Sequence, residues 1–174
     1  KNIDIGHIIT TDKILEDARV GELYDIFKNL FTPQHYRIGI LQSNMSFINA
    51  TIKGLGIIAN VSEIKSFIEK KLDKNIYDSL FGISEVFSYD KYKDYFKTQW
   101  IDHTFAIELI SKLFQTNIIV LNYNESSISC TMNLIDTPFV DGEKYIVLIK
   151  NILNEKKKMH KGYVNTANGK GELS

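Results

Sequence analysis

Arg37-Ile38-Gly39-Ile40-Leu41-Gln42-Ser43-Asn44-Met45-Ser46-Phe47-Ile48-Asn49-Ala50 is the stretch on which the reading of this chain turns. Tyr36 to Leu41 is a short run of aromatic and β-branched residues, the composition of a buried strand. Ser43-Asn44 makes a polar turn, because both side chains bond readily to nearby backbone. From Ser46 the spacing of Phe47, Ala50, Thr51 and Leu55 predicts a helix, capped by Ser43 or Asn44 and loosened at its end by Gly54 and Gly56. A strand that turns directly into a helix places one small polar side chain, Ser46, at the helix N-terminus.

Upstream, Leu23, Ile26, Phe27, Leu30 and Phe31 recur at helical spacing and predict an amphipathic helix over 22–31, ended by Pro33. Downstream, Ser62 is expected to cap a second helix striped by Ile64, Phe67, Ile68 and Leu72, followed by a short third helix over 75–81. Tyr89, Tyr92, Tyr95 and Phe96 share one helical side, which core packing explains. Asp102 is placed to cap a helix with Phe105, Leu109, Ile110, Leu113 and Phe114 on its apolar face. After Asn117 the period changes to that of strands. Ile118–Leu121, Ile128 to Met132, Tyr145–Ile149 and a closing piece at Met159–Val164 predict a meander of three or four strands. Helices first and strands last indicate α+β rather than a doubly wound sheet.

The composition excludes several classes of function. At 174 residues, with 44% hydrophobic and 24% charged, the chain is long enough for one globular domain. Lys plus Arg and Asp plus Glu both number 21, so no net positive field attracts nucleic acid or an anionic membrane. Cys130 is the only cysteine, which excludes an internal disulfide and a multi-cysteine zinc site and points to a reducing, cytoplasmic setting. His7, His35 and His103 share no ligand spacing, and neither a metal nor a cofactor is expected. His103 reads instead as a first-turn residue of its helix. No apolar run approaches the roughly 18 residues of a membrane span, and the start at Lys1 reads as a fragment. The sequons at Asn44, Asn49, Asn60 and Asn124 are read as unglycosylated.

This order of parts resembles the ovarian-tumour (OTU) family of papain-related cysteine proteases, which remove ubiquitin or related modifiers. There a D-G-x-C-F-F-x-A-like segment opens the nucleophile helix, a helical region follows, and strands lead to a late His followed by an aromatic. Ser43-Asn44-Met45-Ser46-Phe47-Ile48-Asn49-Ala50 takes the first place and His160-Lys161-Gly162-Tyr163 the last. Trp100, the helix after it and Ile118–Leu121 also sit where the family puts them. The resemblance implies an α+β fold, with an N-terminal helical part and a C-terminal antiparallel sheet of about three to five strands. Residues 1–164 would form the single domain, with 1–34 as a helical extension and 165–174 as a loose polar tail.

The resemblance puts Ser46 at the nucleophile position, His160 at the general-base position, and Ser43 and Asn44 at oxyanion-hole or orienting positions. The family's Asp is Ser43 here, its Gly is Asn44 and its Cys is Ser46, and Gly162 stands where an orienting Asp or Asn is often found. A thiol protease needs an imidazole beside a cysteine of pKa about 8.5 to hold a thiolate near neutral pH. A serine hydroxyl titrates far higher and needs an oriented imidazole, and no third group is identifiable. Ser46 is therefore either an engineered Cys-to-Ser exchange or the mark of a naturally inactive domain. Read without the resemblance, Ser46 is a plain helix cap and His160 a solvated residue beside Lys156-Lys157-Lys158. Cys130 then reads as an inert small hydrophobe on a strand face with Ile128 and Met132.

The segment from Arg37 to Ile48 also looks like one in large multidomain proteins of nucleocytoplasmic large DNA viruses. The expected function is a catalytically degenerate domain serving as a protein-binding or scaffold module of a larger viral protein, in host cytoplasm or virion. The alternatives are a deubiquitinase-like cysteine protease with Ser46 in place of its thiol, and a structural component of a virion or polymerase. The expected partner is a protein: ubiquitin, a ubiquitin-like modifier or other domains of the parent chain.

Overall fold

Two apolar clusters lie on opposite faces of one sheet. The computed structural model describes residues 15, 17–31, 35–40, 43–98, 100–123, 127–133, 145–151, 162–168 and 171–172. Its elements are β1 (Val20–Glu22), β2 (His35–Ile38), α1 (Ser46–Leu55), α2 (Val61–Lys71), α3 (Lys74–Ser79), α4 (Tyr89–Thr98), α5 (His103–Phe114), β3 (Asn117–Tyr123), β4 (Ile128–Asn133), β5 (Tyr145–Asn151), β6 (Gly162–Asn168) and β7 (Gly171–Glu172). The class is α+β, as expected.

α1 is buried on nearly every side: Ser46, Phe47, Ile48, Ala50, Thr51, Ile52, Gly54 and Leu55 are all buried. It packs against β5 and β6. Gly56 ends it in the left-handed region at φ 69°, which a residue without Cβ adopts freely. Around it, Ile64 and Ile68 of α2, Tyr92 and Phe96 of α4, Leu109 and Ile110 of α5, Val120 of β3 and Leu148 of β5 form the main core. The tyrosine-rich segment is α4, and Tyr92, Tyr95 and Phe96 are buried in that core. α2 is capped by Asn60 rather than Ser62. The Asn60 side chain accepts from Glu63 N–H at 2.8 Å and Glu63 Oε1 accepts from Asn60 N–H at 3.2 Å, a reciprocal box that uses two otherwise orphaned donors.

The expected helix over 22–31 does not form. Glu22 closes β1 opposite Tyr36, and only a 3-10 turn, Asp25–Phe27, follows. The apolar spacing there serves a different purpose: Leu23, Tyr24 and Phe27 cover the second face of the sheet against Tyr123 and Ile149. Leu30, placed on the apolar face by helical spacing, is 60% exposed. Tyr24 stacks on Tyr123 at 4.5 Å between ring centroids, and the Arg37 guanidinium lies 4.1 Å over the Tyr24 ring. A buried arginine is tolerated here because a ring face attracts its charge and Nε donates to Glu22 O at 2.7 Å.

The sheet is larger and more mixed than a terminal meander. Its strand order is β1-β2-β6-β5-β3-β4, with β7 on β6. β3 and β5 run parallel, from Asn117 opposite Tyr145 to Tyr123 opposite Asn151, while the other pairs are antiparallel. Two N-terminal strands thus join the C-terminal ones. The stretch from Asn165, expected to be loose, lies in β6 as far as Asn168 and pairs with both β2 and β5.

Candidate functional site

The turn before α1 is bonded across itself. Ser43 N–H donates to Ser46 Oγ at 2.7 Å, and Ser46 Oγ donates back to Ser43 O at 2.8 Å. Ser46 N–H also reaches Ser43 O at 3.2 Å, and Met45 N–H donates to Ser43 Oγ at 3.0 Å. Ser46 itself is 1% exposed. The residue at the N-cap of α1 is Met45, with no side-chain cap bond, so neither Ser43 nor Asn44 caps the helix as expected. The tightness of the turn is the reason. The Ser43 hydroxyl meets the N–H two residues on, before it can reach the first turn of the helix.

The turn is fastened to the start of α5 by one backbone bond, Ile101 N–H to Asn44 O at 3.2 Å. Asp102 follows at once and caps α5 as the sequence indicates, its Oδ1 accepting from Thr104 N–H at 2.8 Å. Its own N–H donates to Tyr95 Oη at 2.5 Å. Burial pushes the Tyr95 hydroxyl up to about 12, so it stays protonated. The other Asp102 oxygen lies 3.9 Å from Lys150 Nζ, and His103 Nδ1 lies 3.6 Å from Oδ1. His103 is the first residue of α5, as read from the sequence, and it is buried, its ring 6.3 Å from that of Phe47.

Lys150 is 5% exposed. Alternation along β5 explains its direction: Ile146 and Leu148 enter the main core, and Lys150 is next on that face. Burial alone would raise the Asp102 carboxylate, but the Thr104 hydrogen bonds, Lys150 and His103 outweigh it and hold the group at about 2. Asp102 and Lys150 were not expected to meet. They stand 48 positions apart in sequence (150 − 102), and only the tertiary fold brings them together.

Ser43, Asn44 and Ser46 therefore share one turn. His160 lies outside the described residues, and Gly162, two positions later, opens β6 opposite Asn151. Cys130 is on β4 as expected but exposed, and desolvation by the atoms around it still raises its thiol pKa, which keeps it protonated near neutral pH. Among the described residues no three His, Cys, Asp or Glu side chains are grouped to hold a metal ion. No described helix is long and apolar enough to cross a membrane.

No protein-family model and no curated protein sequence matches the chain. Solved structures do. The OTU domain of OTUD1 is similar with a TM-score of 0.52 at 14% identity, over 75% of this chain and 85% of that one. The viral OTU domain protease from Qalyub virus is similar with a TM-score of 0.54 at 15% identity, over 77% and 94%. The likeness takes in most of each chain at an identity that carries shape alone. The chain has the OTU-like fold, in a mixed α+β architecture.

Proposed function

We propose that this is a catalytically degenerate OTU-like domain that serves as a protein-binding or scaffold module of a larger, viral protein. The observation that carries the reading is the Ser43–Ser46 turn, bonded across itself. The Ser46 hydroxyl donates to a backbone carbonyl, and the N–H groups of Met45 and Ser46, which an oxyanion hole would aim at substrate, are bonded to Ser43. A nucleophile in that state must break its own turn before it can attack. The partner we propose is ubiquitin, a ubiquitin-like modifier or another domain of the parent chain, on the strength of the fold.

The test is a Ser46→Cys variant exposed to ubiquitin bearing a C-terminal electrophile, with Ser46→Cys/His160→Ala as control. In protein shown to be folded by circular dichroism, no adduct is expected. An adduct that needs His160 would overturn the reading in favour of the deubiquitinase-like protease whose thiol Ser46 replaces.

A further inference from the structure

An open cleft of about 510 Å³ begins at Met45, one residue before Ser46, and runs along α2. Met45, Val61, Ser62, Lys65, Ser66 and Glu69 line it, and Lys97 from the last turn of α4 closes one side. Its size falls in the range of ligand clefts, about 300–1,000 Å³.

Length and chemistry together describe an occupant. Val61 to Glu69 spans eight helical steps, about 12 Å at 1.5 Å per residue. A peptide at about 3.3 Å per residue crosses that distance in roughly four residues. The wall is graded. Met45 and Val61 are half-buried and apolar at one end, and they pack against the main core. Lys65 and Lys97 supply two ammonium groups in the middle, with the Ser62 and Ser66 hydroxyls beside them on α2. Glu69 lies one helical turn beyond Lys65.

Lys65 Nζ is fixed in place, because it donates to Lys97 O at 2.6 Å and so caps the C-terminal end of α4. Lys97 Nζ has a loose pairing with Asp94 at 3.6 Å, with both side chains well exposed, and an incoming carboxylate can compete for it.

We propose that this cleft takes an extended segment of a partner protein, with a small apolar residue over Met45 and Val61 and an acidic side chain between Lys65 and Lys97. The proposal deepens the binding-module reading and rests on it. It assigns the segment a charge and an order of side chains along the cleft. The acidic residue follows the apolar one away from the Ser46 turn, and a basic or neutral residue faces Glu69.

The test is a titration of the native chain, isotope-labelled for NMR, with N-acetylated, C-amidated Ala-Gly-Glu-Gly and with the Ala-Gly-Lys-Gly counterpart, at low salt. The expected result is amide shifts at Met45, Ser62, Ser66 and Lys97 with the glutamate peptide alone, suppressed by added salt. Lys97→Gln removes one charge and leaves the bond to its carbonyl in place; it is expected to weaken binding roughly two- to fivefold, and Lys65→Gln by a similar factor. Thermal melts confirm that both variants fold. Equal shifts with both peptides, shifts confined to another surface, or none would overturn the proposal. Failure here is separate from failure of the degenerate reading, which is scored by the ubiquitin adduct at Ser46→Cys.

Discussion

The turns that lead into α1 and α5 are joined by a hydrogen bond from Ile101 to Asn44, yet their polar groups are used in opposite ways. At α1 neutral side chains make bonds between Ser43 and Ser46, within the turn itself. At α5 a carboxylate caps its own helix and also reaches Lys150 on β5. The first arrangement satisfies a turn, whereas the second ties a helix to the sheet. At this junction, then, the charged group that holds two layers together is Asp102, outside the Ser43–Ser46 turn.

The largest effect that could break this contrast is at α5. Asp102→Ala removes the cap and leaves Lys150 buried beside no carboxylate from that position, and it is expected to cost about 2–4 kcal/mol in urea unfolding. A loss under about 1 kcal/mol would show that Asp102 acts as an ordinary cap. Next in size is the pH dependence. The Asp102 carboxylate is held at about 2 in the folded chain against an ordinary 3.8. A depressed acid stabilises the fold above its unfolded value and loses that contribution as pH falls through the folded one. About 2 kcal/mol should therefore disappear between roughly pH 4 and 2. Urea midpoints across that window should fall steeply in the native chain and less steeply in Asp102→Asn.

Smaller still is Ser46→Ala, which leaves Ser43 N–H without its hydroxyl partner in a half-buried turn. An expected loss of about 1–2 kcal/mol in the same assay would mark Ser46 as structural. A gain in stability would mean that the turn is strained for some other purpose. The smallest change is Asn60→Ala at the exposed start of α2, expected at about 1 kcal/mol, the scale of a cap that serves only its own helix.

These differences mirror what could be read from the chain. α5 was legible because Asp102 precedes a long apolar stripe, so cap and period agree. α1 was legible from Phe47, Ala50, Thr51 and Leu55, although not the bonds across its turn, since two serines three apart carry no mark of which partner each will take. Leu23, Ile26 and Phe27 misled because an apolar segment laid across a sheet and an amphipathic helix can show the same spacing. The parallel pairing of β3 with β5 was not legible either. Both are plain apolar runs, and the choice of neighbour depends on contacts distant in sequence. Lys150 ended such a run and carried no signal that its ammonium would turn inward. Beside α1, the sequence marked the turn at Ser43-Asn44 and gave no sign of the carboxylate–ammonium pair near it.

The position of β6 has a consequence for how the chain is made. β2 ends at Ile38, and its neighbours in the sheet are β1 and a strand that begins only at Gly162. During synthesis the β1–β2 hairpin leaves the ribosome with one side unpaired, and β5 later presents another edge of its own. Neither edge is covered until β6 slides between them. Pairings between residues so distant form slowly and leave sticky edges open in the meantime. The sheet is therefore incomplete without β6 between β2 and β5, and a chain halted before Gly162 would be a candidate for aggregation and chaperone capture.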